Sequence, residues 1–185
     1  MAALDHFKVA ILATDGVEEI ELTEPAKALG QASAKIDVIS LKAGRIQALR
    51  HINKGNQIPV DLTLDQANPA NYDALLLPGG AINADTLRLQ PKVQQFIRTI
   101  ANANKPMAVI CHAPWELISA NLARGRTLTS WPTIQDDLRN AGATWVDQEV
   151  VIDGNLLTSR GPQDLPSFIR EMVRLFAHRT PTAIS

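Results

Sequence analysis

Two prolines frame the stretch that most constrains this chain. Residues 105–119 read Lys-Pro-Met-Ala-Val-Ile-Cys-His-Ala-Pro-Trp-Glu-Leu-Ile-Ser. Pro106 keeps a helix from running into the segment, because its ring fixes φ and removes a donor. Met107-Ala108-Val109-Ile110 is uncharged and partly β-branched, the pattern of a short strand buried on both faces. Pro114 suits a first helical turn, and Trp115 to Ile118 continues helically. Cys111, the only cysteine, therefore falls where a buried strand turns sharply into a helix. That is the geometry of a nucleophile elbow. On one reading the helix N-terminus lowers the thiol pKa and makes Cys111 reactive, with His112 as base or positive charge. On the other, Cys111 is a small buried hydrophobe. Adjacency alone does not pair it with His112, since neighbouring side chains on a strand-to-turn segment diverge.

The rest of the chain alternates strand and helix patterns. Lys8–Ala13, Ile36–Leu41 and Tyr72–Leu77 read as buried strands. Glu18–Leu29, Lys92–Asn102, a helix from Pro114 to about Ala123, Ile134–Ala141 and Asp164–Ala177 read as helices. Gly44–Pro59 is polar and irregular, with a short hairpin. Pro78-Gly79-Gly80 ends the third strand, and residues 81–85 read as a loop. Val146–Ile152 and Leu156–Thr158 flank Asp153-Gly154-Asn155, a hairpin turn signal. Residues 180–185 read as a frayed tail. The whole, residues 1–185, is expected to be one α/β domain with its core over residues 8–177 and a mostly parallel sheet covered on both faces. In such folds sites lie beyond the carboxyl ends of the strands. Three of these ends carry chemistry: residues 14–18, 78–85 and 111–112.

Composition narrows the classes. Of 185 residues 45% are hydrophobic but only 4% aromatic, so the core must be aliphatic. A net charge of −1 gives no nucleic-acid footprint. A single cysteine excludes an intrachain disulfide and fits a reducing, cytoplasmic setting. No apolar run approaches the roughly 18 residues of a membrane span. No zinc spacing, Gly-x-Gly-x-x-Gly or P-loop is present, so no cofactor is expected.

Glu18, Glu19 and Glu21 follow the first strand. Acidic residues early in a helix complement its dipole, which explains them without function. Alternatively one carboxyl points at Cys111 and, held neutral by burial, donates a hydrogen bond to the thiolate or its oxidised form. Gly79-Gly80 is either a tight turn or half of an oxyanion site, with the N–H groups of Gly80 and His112 facing an oxygen on a carbon attacked by sulfur. His6, His51 and His178 lie far from these ends in sequence and read as surface residues.

Several stretches together resemble the PfpI (intracellular protease I) family, in the superfamily of the parkinsonism-associated protein deglycase. They are residues 15–22, 72–80, 105–114, 130–137, 140–142, 147–154 and 158–165, spread over residues 8–176. The resemblance implies a flavodoxin-like three-layer sandwich of the class I glutamine amidotransferase type. It implies Cys111 as nucleophile, Glu18 against the sulfur and His112 as the adjacent histidine. It also implies an acid reaching in from a neighbouring subunit; Asp85 matches that position if the loop holds one extra residue. A homodimer follows. The usual Cys-His-Gly-Pro is Cys111-His112-Ala113-Pro114 here, and Pro114 should preserve the turn. Trp115 and Trp131 are expected either to wall the pocket or simply to pack. The implied function is a stress-response cysteine hydrolase acting on methylglyoxal and glyoxal or their protein adducts. The alternatives are an intracellular cysteine peptidase and a non-catalytic oxidative-stress sensor working through Cys111.

Overall fold

The computed structural model describes residues 3–178, so the expected tail at 180–185 lies outside the described residues. The chain opens with strand β1 (Lys8–Leu12), helix α1 (Glu19–Gln31) and strand β2 (Lys35–Ser40). A hairpin of β3 (Arg45–Arg50) and β4 (Asn53–Pro59) follows, then the two-residue β5 (Leu62–Thr63). Next come β6 (Ala74–Leu77), α2 (Ala81–Arg88), α3 (Pro91–Asn102), β7 (Met107–Ile110) and α4 (Pro114–Ser119). The last third holds β8 (Thr127–Leu128), α5 (Gln135–Asn140), β9 (Thr144–Trp145), β10 (Val150–Asp153), β11 (Leu156–Ser159) and α6 (Leu165–His178).

Seven strands form the central sheet in the order β10-β11-β7-β6-β1-β2-β5. All its pairings are parallel except β10 with β11, which is the hairpin that Asp153-Gly154-Asn155 signals. Side chains alternate across each strand, so one strand feeds two cores. Val9 and Ile11 pack with Leu22 and Leu29 of α1 and with Phe168, Met172 and Phe176 of α6. Ala10 and Leu12 pack on the opposite face with Phe96, Ile97 and Ile100 of α3 and Leu117 of α4. The covering helices supply matching stripes: α6 buries Leu165, Phe168, Met172 and Phe176, and α3 buries Val93, Phe96, Ile97 and Ile100. This is the expected flavodoxin-like α/β sandwich.

The structure corrects several boundaries. The stretch read as a loop over 81–85 is the first half of α2. Gly80 (φ +94°) ends the turn before it, so the helix starts without a Ser/Thr/Asp/Asn cap to announce it. Helix α4 stops at Ser119 rather than near Ala123, because Asn121 takes a positive φ and the chain turns out. The strand read as beginning at Val146 begins at Val150. The β3–β4 hairpin spans nearly all of 44–59 and folds over the end of β1, where Gly16 N–H donates to Gln47 O (2.8 Å) and Leu49 N–H to Val17 O (2.8 Å). The three chemically loaded strand ends, plus this hairpin, therefore meet at the carboxyl end of the central strands.

Candidate active site around Cys111

Strand β7 delivers Cys111 fully as an elbow. Its φ is +64°, a conformation costly for a side chain with a Cβ, and the fold holds it from both sides. Cys111 N–H donates to Ser159 O (3.0 Å), while Cys111 O accepts from Trp131 N–H (2.8 Å). Ala113 sits at φ −58°, ψ −25°, ordinary helical space, so no glycine is needed there. Pro114 then opens α4, and the turn persists as expected. The thiol is 6% exposed, at the floor of a cavity of about 440 Å³. Leu49, Ile52, Ile82, Trp131 and Pro162 give the cavity apolar walls, and Glu18, Glu21, His51 and His112 give it polar groups.

The carboxyl beside the sulfur is that of Glu21, not of Glu18. Glu21 is fully buried, and Oε2 accepts from Gly79 N–H (2.9 Å). Its other oxygen, Oε1, is buried with no hydrogen-bond partner. Burial first, and the nearby charge of Glu18 second, push the Glu21 carboxyl up to about 8, against the Gly79 bond that pulls it down. Glu21 thus keeps its proton through neutral pH. Glu18 precedes the helix proper and lines the cavity, with Oε2 accepting from His51 N–H (3.0 Å). One helical turn separates a residue that lies under the sulfur from one at the cavity wall; three acids in four positions left the choice open in sequence.

The thiol is shifted opposite to the reading in which the helix N-terminus lowers it, and in the direction a buried cysteine takes. Burial, then the negative charge of Glu21, push Cys111 well above the usual thiol range. The N–H groups of Gly80 and His112 oppose this by hydrogen-bonding to the sulfur. Helix α4 has only six residues, too short for its dipole to outweigh desolvation. Thiol and carboxyl form a buried acid pair in which loss of one proton hinders loss of the other.

His112 reaches the sulfur, Nδ1 to Sγ 3.2 Å. Burial lowers its pKa, which leaves a neutral imidazole able to take a proton. Two indoles fix the ring: Trp131 stacks on it at 5.8 Å and 24°, and Trp115 meets it at 5.3 Å and 58°. Trp131 also walls the cavity, whereas Trp115 braces from behind, tied to Asp137 Oδ2 (2.7 Å) and covered by the Arg88 guanidinium at 5.3 Å. Asp85 is exposed on α2 and borders a separate groove with Arg88 and Ser119, so within one chain it does not approach Cys111. His6 and His178 are exposed, as expected. His51 is exposed too, but the hairpin carries it to the cavity mouth. No group of three or more His, Cys, Asp or Glu side chains among the described residues forms a metal cluster.

A family model described as the DJ-1/PfpI family matches residues 7–175. The chain belongs to that family. A deglycase of Pyrococcus horikoshii is 43% identical over 91% of this chain and 98% of its own length. The protein/nucleic acid deglycase 2 of Escherichia coli is 44% identical over 91% of this chain and 96% of its own. Among solved structures, Drosophila melanogaster DJ-1beta superposes with a TM-score of 0.85 at 30% identity, covering 92% of this chain and 90% of that one. In this DJ-1/PfpI chain one structural residue escaped the sequence reading altogether. Asn83 is fully buried; it accepts from Thr14 N–H (2.8 Å) and donates to Pro78 O and Gly79 O (3.1 Å each). It thereby ties the end of β1 to Pro78 and Gly79. Its only trace in the sequence is an asparagine three residues after Gly80.

Proposed function

We propose that this protein is a cysteine-dependent deglycase that releases dicarbonyl adducts as hydroxy acids. The observation that carries the reading is the Cys111–His112 contact of 3.2 Å at an elbow whose sulfur faces two backbone N–H groups and a buried carboxylic acid. Neutral His112 takes the thiol proton as Sγ adds to the carbonyl carbon. The carbonyl π pair moves to oxygen, where the N–H groups of Gly80 and His112 stabilise it. Glu21, protonated at neutral pH, returns a proton. The amine or thiol leaves as C1 becomes the aldehyde that Sγ attacks. The C1 proton then moves to C2 through an enediolate, which turns C1 into a thioester as the C2 ketone becomes a hydroxyl, and water hydrolyses the thioester to free Cys111. Overall one methylglyoxal adduct and one water give the free side chain and lactate, with no external oxidant or reductant. A cavity of about 440 Å³ suits a small dicarbonyl unit.

The same donors favour a second reading. A Cys111 sulfinate would find the Gly80 and His112 N–H groups and the Glu21 proton already in place, so oxidation sensing remains a separate use of the same thiol. The exposed apolar side chains Ile52 and Ile82 line the cavity and Ile20 the adjoining groove, which supports a homodimer that covers this rim and brings Asp85 toward the neighbouring site. A stress-response role in the cytoplasm fits a lone unpaired thiol.

The test is lactate formation from methylglyoxal adducts by the reduced protein, beside Cys111→Ser and beside buffer and free-thiol controls that bind methylglyoxal reversibly. Lactate at many turnovers per protein, lost in Cys111→Ser, is the expected result. Depletion without lactate overturns the deglycase reading.

A further inference from the structure

We propose that Glu18 makes the Cys111 cavity selective for positively charged adducts, those on arginine and lysine side chains, against anionic ones such as nucleotide adducts. The inference rests on the deglycase reading and names its substrate class.

Three acids open the helix region, and their fates differ. Glu19 is held by Arg50 (2.9 Å) and by Asn56, so its charge is answered within the chain. Glu21 is buried under the sulfur and protonated. Glu18 is half-buried at the cavity wall, and its one hydrogen bond is from the uncharged His51 N–H. No cation answers it among the described residues. No lysine or arginine lines the cavity, and Arg50, which shares the adjoining groove with Glu18, is engaged with Glu19. Besides Glu18 the cavity carries the side chains of Glu21, His51 and His112, and its other walls are apolar, which strengthens the field of the one unanswered carboxylate. That field is felt at the floor, where it raises the Glu21 carboxyl. The position is rigid: Glu18 N–H donates to Gly79 O (3.2 Å), and Glu18 O accepts from Glu21 N–H (3.1 Å). A guanidinium or ammonium passing the mouth therefore gains a carboxylate partner. A phosphate or carboxylate meets repulsion with no counter-charge.

The lone cysteine allows a test that does not depend on turnover. Three methanethiosulfonates of similar size serve as probes: 2-(trimethylammonium)ethyl, 2-hydroxyethyl and 2-sulfonatoethyl. In each case Sγ attacks the reagent sulfur, a mixed disulfide forms, methanesulfinate leaves, and the thiol proton goes to solvent. Rates are divided by those for free mercaptoethanol and read by mass. The expected cation-to-anion ratio is about tenfold in the wild type at low salt, as for one partly solvated charge a few ångströms away. It shrinks at roughly 0.5 M salt. Glu18→Gln removes most of the ratio, Glu18→Lys reverses it, and Glu18→Asp and the surface control Glu24→Gln keep it. A wild-type ratio near unity, or an equal ratio in Glu18→Gln, overturns the proposal.

A second arm follows lactate from methylglyoxal hemithioacetals of thiocholine, mercaptoethanol and 3-mercaptopropionate, which share a two-carbon arm and carry cationic, neutral and anionic head groups. The thiocholine adduct should have the highest kcat/KM and the mercaptopropionate adduct the lowest, converging in Glu18→Gln. Failure of all three adducts with the labelling ratio intact defeats the deglycase reading and leaves the charge selectivity standing. Turnover of all three at equal kcat/KM defeats the selectivity alone.

Discussion

Glu21 and Cys111 face each other across a gap too narrow for a methyl group, and Gly79 is what keeps it open. A Cβ at Gly79 would strike Glu21 Oε2, lie 2.5 Å from Cys111 Cβ and 2.9 Å from Ile110 O. Two of these three neighbours are held by the elbow itself. Gly79→Ala should therefore cost about 2–4 kcal/mol and abolish lactate formation. Gly30→Ala is the opposite case. It lies inside α1 with an ordinary φ and nothing within 4 Å of the added methyl. It should gain about 1 kcal/mol with activity intact. Urea unfolding of the two variants checks both.

Glu21 and Glu18 should separate by pH. Glu21→Gln preserves shape but cannot exchange a proton, and kcat should fall roughly hundredfold. The protonated carboxyl is the working form, so wild-type activity should decline as pH passes about 8. Glu18 raises Glu21 by its charge, so Glu18→Gln must move that alkaline limb to lower pH. A pH–kcat profile with an unmoved limb in Glu18→Gln would assign the limb to another group.

Asn83 should matter beyond its share of stability. Asn83→Ala leaves Thr14 N–H and Pro78 O without their partner in a buried place and Gly79 O with only the Glu18 N–H. The cost should be about 2–4 kcal/mol. Asn83→Asp keeps an acceptor for Thr14 but sets a carboxylate against two carbonyl oxygens, so it should be no milder. Both should lower kcat even where circular dichroism shows the protein folded, because the diglycine turn that aims Gly80 N–H at the sulfur loses its anchor.

These residues also show what a sequence can disclose. The strands around Met107–Ile110 and Ala74–Leu77 were legible because uncharged aliphatic runs bounded by Pro and Gly have few other uses. Cys111 was legible for the same reason: Pro106 and Pro114 fix where strand ends and helix begins. Choosing Glu21 over Glu18 needs the phase of α1 against the sheet, which no local pattern supplies, since both residues suit a helix start. Helix α2 lacked a start signal, and Asn83 acts only through residues 69 and about five positions away. The thiol shift depends on desolvation by the assembled fold, and His51 reaches the cavity through a long-range hairpin contact.

The last expectation concerns a carboxyl outside the reaction. Glu116, on α4 directly after the elbow, is fully buried, and neither side-chain oxygen has a hydrogen-bond partner. Burial raises its pKa well above the ordinary value, so the folded state holds its proton where the unfolded chain releases it. A group raised in this way favours folding below its unfolded pKa. Stability then falls as pH rises from about 4.5 toward the folded value, at up to roughly 1.4 kcal/mol per unit. Glu116→Met fills similar volume without a polar group. It should be more stable than the wild type by about 2 kcal/mol or more near neutrality, with a smaller gain near pH 4. Glu21 shifts in the same direction but is present in both proteins, so it cancels in the difference. Urea midpoints of the pair across this range decide the matter: a gain that does not grow with pH would mean that Glu116 finds a partner or water when charged.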